Sequence, residues 1–260
     1  MGTFFNRHNH IFLKTIPGLL LILFSFFMLI YYPKTTISTT SNSKVVTPLR
    51  YHKNPLEKHY DRAFSMPEDT TKDKIKQFER KAKHKINLKS SVPYKVKINR
   101  AENFVMIYGM DVYGKYKIPY KCFICSAAKN ISSTLLGKYR LNDRYRWHMM
   151  VDGSYAQYAI RFYDKLMLHS VPYYKQSPDT LETEEYNKLG HFASLGCIRM
   201  RVSDIKWIYD HCRMGTEIVI YDKKGEKPLA PYENPKKLDT SDSKSNWDPT
   251  DPSKKNPWNK

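Results

Sequence analysis

The feature that most constrains this chain is a series of short apolar segments between Tyr94 and Tyr221. They are rich in β-branched and aromatic residues, several alternate with polar residues, and Gly, Asn or Asp separates them. This pattern predicts strands with one buried face, and therefore a mainly β domain over residues 92–223. The predicted strands are 94–99, 104–108, 115–126, 136–141, 155–163, 166–169 and 217–221.

Two segments of this domain, 182–189 and 202–212, have helical character instead. Ser203 and Asp204 are candidate caps for the second helix, and Gly215 follows its end as a stop signal. The expected architecture is thus a mainly β fold with short helices.

The residues ahead of this domain are strongly basic. The chain has 260 residues and a formal net charge of +19, and residues 33–100 contain 17 Lys or Arg against 6 Asp or Glu. Such a charge indicates a polyanionic neighbour, namely nucleic acid, an anionic membrane or an acidic wall polymer, although solubility alone is the simpler explanation.

An apolar run at 16–32 follows Arg7 and Lys14. Its length is at the short end of the roughly 17–25 residues that a spanning helix needs. No small-residue cleavage site or lipobox cysteine follows it. Residues 1–33 are therefore predicted to be an uncleaved signal anchor, which gives a single-pass protein of the cell membrane with its domain outside the cytoplasm.

Two further segments complete the predicted organisation. Residues 34–91 form a basic linker or stem with a helix at 69–87, whose apolar face packs on the domain or lies along an anionic surface. Residues 224–260, rich in Pro, Asp and Lys, are interpreted as an extended or disordered tail. Trp247 and Trp258 are unusual there, and either docking on the domain or contact with a ligand would explain them.

Four cysteines are too few for a disulfide scaffold in a chain of this length. Cys122 and Cys125 form a C-x-x-C pair, which invites a redox or zinc interpretation. A structural zinc site would need a second such pair or a close His pair, and neither is present. Because the two cysteines lie three apart in a predicted strand, we interpret them as packing residues on opposite faces.

Cys197 lies in the densest candidate site, Phe-Ala-Ser-Leu-Gly-Cys-Ile-Arg-Met at 192–200. Gly196 allows the backbone to approach a bound carbonyl, and a helix starting just after Cys197 would lower the pKa of the thiol and supply N–H donors to an oxyanion. Arg199 adds a nearby cation. A buried structural cysteine is the alternative explanation.

A nucleophilic thiol needs a base, and three histidines are candidates. His169 ends an apolar strand, where a side chain can be held firmly enough to accept and return a proton. His191 lies six residues before Cys197, and His148 is a weaker rival near Trp147.

Taken together, these residues resemble the L,D-transpeptidase catalytic domain. The family motif is a His-Ser or His-Gly pair, a loop, then Ser/Thr-His-Gly-Cys with an apolar residue and Arg or Asn. His169-Ser170 matches the first part, and Ser-Leu-Gly-Cys-Ile-Arg at 194–199 matches the second. Supporting stretches lie at 132–139, 188–190 and 204–220, so the resemblance covers about 92–223 and implies a β-sandwich.

The sequence also departs from the family pattern. Leu195 replaces the usual motif histidine, and Leu135 replaces the proline of a Thr-Pro-x-Gly strand entry. The interval from His169 to Cys197 is long, which indicates an enlarged loop over the site. These departures leave both the nucleophile and the base in place.

The resemblance implies a mechanism on cell-wall peptide stems. Cys197 would attack the carbonyl of the third residue of a tetrapeptide and expel the terminal D-alanine, with His169 as base and then acid. The carbonyl of Ser170 would orient the imidazole, and the N–H groups of Gly196 and Cys197 would form the oxyanion hole. A neighbouring amine would resolve the thioester to a 3→3 cross-link, whereas water would make the enzyme a carboxypeptidase.

The same resemblance implies further assignments. Arg199 would position the donor or stabilise the loop, and Ser194 and His191 are the other candidate substrate-binding residues. No metal or cofactor is required, and the partners expected are peptidoglycan stems and an anionic wall polymer or membrane surface, without nucleic acid. A sortase-like transpeptidase and a non-catalytic wall-binding module are the competing hypotheses.

Overall fold

The computed structural model describes residues 71–260. The predicted anchor at 1–33 and most of the basic stem lie outside the described residues. Among residues 71–260, no helix is long and apolar enough to cross a membrane.

The first helix, α1 (Lys72–Lys83), lies within the segment 69–87 where a helix was predicted and ends four residues before the predicted limit. The side chain of Thr71 caps its N-terminus by accepting a hydrogen bond from the N–H of Lys74. Ala82 is buried, as is Ile86 just beyond the helix, and α1 packs against the third strand. The apolar stripe therefore packs on the domain, which was the commoner of the two expected outcomes.

Nine strands and two further helices follow α1, and they confirm a mainly β domain. The strands are β1 (Tyr94–Asn99), β2 (Phe104–Met110), β3 (Tyr116–Ser126), β4 (Gly137–Arg140), β5 (Arg144–Met149), β6 (Tyr155–Tyr163), β7 (Leu166–Ser170), β8 (Ile198–Met200) and β9 (Glu217–Tyr221). The helices are α2 (Thr183–Tyr186), a single turn, and α3 (Val202–His211).

All nine strands belong to one sheet, in the order β4-β9-β1-β2-β3-β8-β7-β6-β5. The expected sandwich is therefore a single curled sheet, because the eleven-residue strand β3 pairs with β2 along most of its length and with β8 at its end. Curling brings the edge strand β4 back to β6, where the ring of Tyr139 lies 5.3 Å from that of Phe162.

The main core lies inside this curl. Helix α3 contributes Ile205 and Ile208, both fully buried, and packs on β6 and β7. Trp207 on the same helix makes edge contacts with Tyr94 and Tyr120. A smaller cluster on the outer sheet face comprises Phe104, Met106, Cys122, Ile124, Ala230 and Tyr232.

Sequence patterns missed β5 and β8. Strand β8 has only three residues and all are buried, so it shows no alternation, whereas β5 lies at the sheet edge and has no buried residue. The consequence for the site is large: Cys197 is followed by a strand, and α3 begins only at Val202. The predicted helix immediately after the cysteine is wrong.

The C-terminal segment, residues 224–260, contains no strand and only a 3-10 turn at Pro257–Asn259. The expectation of disorder is nevertheless wrong, because Asp248, Asp251 and Asn256 are buried against the domain. Of the two explanations for the tryptophans, docking is supported: Trp247 is buried, and Trp258 packs against the main core.

This segment also caps α3 in place of the predicted residues. The N-cap Arg201 makes no side-chain cap bond; instead Asp248 accepts from the N–H of Val202 at 2.8 Å, and Thr250 Oγ1 accepts from the N–H of Ser203 at 3.1 Å. Helix N-termini leave such donors unpaired within the helix. The C-terminal segment therefore completes the domain at α3.

Candidate active site

The parallel pairing of β7 with β8 brings the two halves of the motif together. His169 lies in register with Arg199, and Leu168 with Ile198. Cys197 directly precedes β8, and its Sγ accepts a hydrogen bond from the N–H of Met167 at 3.4 Å. The predicted base on β7 and the predicted nucleophile at the start of β8 thus lie on neighbouring parts of the sheet, although 27 residues lie between them in sequence.

A narrow pocket forms around the thiol. Its walls include four of the predicted site residues, His169, Ser194, Cys197 and Arg199, together with Leu195 and Pro172. The hairpin between β5 and β6 supplies the remaining wall through Met150, Val151, Asp152 and Ser154. These four predicted site residues therefore line one pocket.

His169 is held as a neutral base. Its Nδ1 lies 2.6 Å from the carbonyl oxygen of Ser170, and a carbonyl can only accept, so the ring proton is on Nδ1 and Nε2 is the basic nitrogen. Burial, reinforced by the nearby Arg199 cation, lowers the pKa of His169 to about 3. The imidazole is therefore uncharged at neutral pH.

Cys197 is a thiol rather than a preformed thiolate. Burial raises its pKa above the ordinary value, and the hydrogen bond from the N–H of Met167 opposes this only in part. The expectation that a following helix lowers this pKa is wrong, because α3 starts at Val202. The resting pair is neutral, so His169 must take the proton as the sulfur attacks.

The backbone around Cys197 is fixed by hydroxyl side chains. Ser194 Oγ accepts from the N–H of Gly196 at 3.1 Å and donates to the carbonyl of Cys197 at 2.6 Å. Thr134 Oγ1 donates to the carbonyl of Gly196 at 2.8 Å. Ser194 therefore shapes the turn itself, and the N–H of Gly196, predicted as an oxyanion donor, is engaged inside that turn.

Gly196 is required by space. A Cβ on this residue would lie 2.8 Å from Leu166 Cδ2 and 3.1 Å from the carbonyl oxygen of Ser133. Both distances are below ordinary van der Waals contact. The glycine before the cysteine thus allows the turn to sit directly on β7 and on the 131–134 segment.

Arg199 ties the long loop between β7 and β8 to the sheet. Its guanidinium forms an ion pair with Glu185 and donates to the carbonyl of Ala193 at 3.3 Å. Hydrogen bonds from Lys188 and Arg199 outweigh burial, so the pKa of Glu185 is lowered and the carboxylate stays charged. Of the two roles expected for Arg199, these contacts support stabilisation of the loop.

The two rival histidines are not equivalent to His169. His191 is exposed and lines a different, larger cavity of about 180 Å³ with Ile124 and Lys236. That cavity does not contain the thiol, so His191 is not brought together with Cys197 as a substrate-binding residue. His148 lies on β5 with its ring 4.5 Å from that of Tyr145.

The β5–β6 hairpin contributes site residues that sequence reasoning missed. Asp152 is the acidic residue of the pocket wall; hydrogen bonds from Ser154 and the charge of Arg199 outweigh burial and lower its pKa. Its carboxylate is therefore charged beside the thiol pocket. The Asp152-Gly153 turn signal was visible in the sequence, but nothing local connected that hairpin with Cys197.

Leu195, which replaces the motif histidine of the family, lines the pocket and is 64% exposed. Val151 on the hairpin across the pocket is 75% exposed. The pocket mouth is therefore apolar at both residues. Among the residues that line the pocket, His169 is the histidine that can act as the base.

The other three cysteines, Cys122, Cys125 and Cys212, are unpaired and buried. Cys122 lies in the outer cluster and Cys125 in the main core, which confirms packing on opposite faces. Within residues 71–260, no group of three or more His, Cys, Asp or Glu side chains is placed to hold a metal ion.

Comparison with known proteins agrees with this geometry. Residues 93–220 match the family model "YkuD: L,D-transpeptidase catalytic domain". The chain is also 40% identical over 67 residues to the Bacillus subtilis (strain 168) protein named "Putative L,D-transpeptidase YciB". That alignment covers 25% of this chain and 34% of YciB.

The solved structures that match include an L,D-transpeptidase from Mycobacterium smegmatis, with 14% identity, a TM-score of 0.40 and coverage of 50% of this chain and 59% of that one. A fused Zn-dependent amidase/peptidase/peptidoglycan-binding protein from Clostridium acetobutylicum gives 20% identity, a TM-score of 0.40 and coverage of 58% and 62%. The chain thus spans about three fifths of each.

The family match ends within β9, so it covers β1 to β9 without α1 and without the C-terminal segment. It includes both strands that carry the motif and the whole thiol pocket. Residues 93–220 of this chain therefore match the L,D-transpeptidase catalytic domain (YkuD) family over the part of the fold that contains the site.

Proposed function

We propose that the protein is a peptidoglycan L,D-transpeptidase that forms 3→3 cross-links through a thioester on Cys197. The observation that carries the proposal is the shared pocket of Cys197 and His169, with the basic nitrogen of the imidazole fixed by the carbonyl of Ser170. The match of residues 93–220 to an L,D-transpeptidase catalytic domain model supports catalysis over a wall-binding module, and this family over a sortase-like enzyme.

In the acylation step, His169 Nε2 takes the thiol proton while Sγ bonds to the carbonyl carbon of the third stem residue. The bond to the terminal D-alanine then breaks, and the same proton passes to the departing amine. The main-chain N–H of Cys197 is our proposed oxyanion donor, because that of Gly196 is engaged by Ser194.

In the deacylation step, the amine of a second stem attacks the thioester carbonyl and gives a proton to His169. The thiolate leaves and regains that proton, so the enzyme is restored. Water in place of the amine would give carboxypeptidase products, which is the second candidate function. The charged Asp152 at the pocket favours the amine route, because a carboxylate attracts the ammonium group of an acceptor stem towards the site. A neutral water molecule is not attracted by the charge in this way.

We also propose that the domain works outside the cytoplasm, held to the cell membrane by residues 1–33. The basic character of α1 supports a position beside an anionic wall polymer. Exposed cations on and just after this helix include Lys72, Lys76, Arg80, Lys81, Lys83, Lys85 and Lys89.

The test is product analysis of the full chain incubated with a disaccharide-tetrapeptide. We expect mass spectrometry to detect loss of D-alanine and a cross-linked dimer for the wild type, and neither product for Cys197→Ala. Cys212→Ala, which removes a buried thiol outside the pocket, is the matched control and should keep both products. A wild type that yields neither product would refute the proposal; D-alanine loss without dimers would establish the carboxypeptidase instead.

A further inference from the structure

The ladder between β6 and β7 is interrupted beside the catalytic histidine. Regular pairing holds at Ile160 and Leu168, but Tyr158 adopts a left-handed backbone with φ of 51°. A non-glycine residue rarely adopts this conformation unless its surroundings enforce it. At this point the N–H of Gln157 donates to the side-chain oxygen of Ser170 at 2.9 Å, in place of a carbonyl on β7.

The side chain of Gln157 is held at both ends and is fully buried. Its Nε2 donates to Asp251 Oδ2 at 2.8 Å, and its Oε1 accepts from Arg146 Nη1 at 2.6 Å. The guanidinium of Arg146 also lies 4.0 Å from the ring centre of Tyr158. The side chains of Ser170, Arg146 and Asp251 therefore hold Gln157 at the interruption in β6. Of these three, Asp251 comes from the C-terminal segment.

Asp251 is itself fixed within that segment. Its Oδ1 accepts from the N–H of Ser253, and its carbonyl accepts from the buried side chain of Asn256, both at 2.8 Å. A buried path of contacts thus connects Asp251 with His169. The side chain of Gln157 bonds to Asp251, the main-chain N–H of Gln157 bonds to the side chain of Ser170, and the main-chain carbonyl of Ser170 holds Nδ1 of His169. Because these polar groups are buried away from water, each depends on its protein partner for its position.

We propose that Asp251 is a positioning residue for the catalytic base, acting on His169 through Gln157 and Ser170. The proposal rests on the proposed function only in taking His169 as the base. Asp251 lies outside the residues that match the family, which end at 220. The C-terminal segment is then part of the catalytic apparatus of this chain, and the domain 93–220 is incomplete without it.

The polarity of the Gln157–Asp251 bond provides the test. Gln157→Glu sets two carboxylates against each other, and Asp251→Asn sets two amide donors against each other or against the N–H of Ser253. The double variant restores a donor and an acceptor with reversed direction, while the introduced glutamate still accepts from Arg146. A positioning role predicts that the loss in the single variants and the recovery in the double variant appear in the reactivity of Cys197. A purely structural role predicts that they appear only in the stability of the fold.

The readout is the rate of alkylation of Cys197 by iodoacetamide in the full chain. Mass spectrometry measures this rate at several pH values. We expect each single variant to lower the rate constant about tenfold at pH 7, towards the level of His169→Asn, because small displacements of a catalytic group are costly. The double variant should recover to within about threefold of wild type, with the wild-type pH profile.

Asp248→Asn is the matched control, since Asp248 is also a buried carboxylate of the C-terminal segment but caps α3 instead of bonding to Gln157. It should lower stability without changing the alkylation rate. The proposal is overturned if the single variants alkylate like this control, or if the double variant is no faster than the singles. The readout needs no peptidoglycan, so lost transpeptidation with an intact alkylation pattern would refute the proposed function alone.

Discussion

At the scale of single residues, the chemistry depends on two neutral groups. The pKa of His169 is lowered to about 3 and that of Cys197 is raised, both chiefly by burial. An ion pair between them is therefore disfavoured at rest, and proton transfer accompanies attack on the substrate. The charged carboxylate of Asp152 lies in the same pocket wall, where it faces incoming groups.

The pH dependence of acylation follows from these two pKa directions. The competent pair, a thiol with a neutral imidazole, exists from above about pH 3 to beyond pH 9. We expect the rate of Cys197 acylation by a carbapenem to be level between pH 5 and 8. Mass spectrometry at short times measures it, and an ascending limb with an apparent pKa near 6.5 would contradict a buried neutral His169.

Replacing the glycine before the nucleophile should be costly for steric reasons. Gly196→Ala places a methyl group 2.8 Å from Leu166 Cδ2 and 3.1 Å from a carbonyl oxygen. Overpacking of this kind costs about 1–3 kcal/mol of unfolding free energy. Urea denaturation measures the loss. Leu166→Ala in the same chain should relieve part of it, whereas a Gly196→Ala protein of wild-type stability would disprove the close approach.

Asp152 should influence which nucleophile resolves the thioester. An exposed carboxylate attracts an ammonium by about 1 kcal/mol or less, so Asp152→Asn should lower the ratio of dimer to hydrolysed product by up to about fivefold. Product masses give this ratio. Asp179→Asn, outside the pocket, serves as the control, and an equal ratio in both variants would remove the acceptor role from Asp152.

At the scale of elements, the active site is an assembly of loops on two strands. The β7–β8 loop is tied to β8 through Arg199 and Glu185, and to the C-terminal segment through the reciprocal amide bonds of Asn187 with Leu238. Helix α3 receives its N-terminal caps from the same segment. The β7–β8 loop and α3 are therefore stabilised by contacts with the C-terminal segment, although it is distant from the loop in sequence.

The cap of α3 should titrate. Burial raises the pKa of Asp248 from 3.8 to about 6, although its hydrogen bonds oppose the shift. The folded chain therefore binds one more proton than the unfolded chain between these values, and the free energy of unfolding should fall by up to about 3 kcal/mol as pH rises from 4 to 6.5.

Asp248→Asn should lack this component, so the stability difference between the variant and wild type should change across this range. His169, with its lowered pKa, contributes in the opposite direction, which is why the difference between the two proteins is the informative quantity. Urea denaturation of both at several pH values measures it. A difference that is independent of pH would show that Asp248 titrates normally.

At the scale of the whole molecule, one curled sheet holds the site on its outer face and α3 inside the curl. The C-terminal segment covers part of that outer face, where Ala230 and Tyr232 pack on Phe104 and Ile124. It then continues to the α3 caps and to Gln157. The folding unit is consequently larger than the family-matched residues 93–220.

Removal of this segment should destabilise the domain. A chain ending at residue 223 loses the packing of Tyr232 and the cap from Asp248, which together are worth at least about 3 kcal/mol. Thermal unfolding should show a markedly lower Tm. A chain ending at residue 256 keeps both contacts and loses only the partly buried Trp258 with its neighbours, so its Tm should lie between those of the other two chains and nearer to the full chain. Equal Tm values for all three chains would exclude a structural role for residues 224–256.

The sequence alone determined the features that depend on nearby residues. Alternation of apolar residues located most of the strands, including β1, β6 and β9 with their observed limits, because a half-buried strand carries its periodicity in its own residues. The motif likewise identified Cys197 and His169, since a thiol after Gly196 and a histidine beside Ser170 form a recognisable chemical pattern.

Only the tertiary structure decided the features that depend on distant residues. Burial by the whole fold sets the pKa of Cys197, and strand pairing places Asp152 at the thiol pocket while leaving His191 outside it. The order of the C-terminal segment was invisible for the same reason: Asp248 and Asp251 resemble solvated residues until their partners, far away in the chain, are brought to them. Hydrogen bonding and burial are long-range properties that local periodicity does not encode.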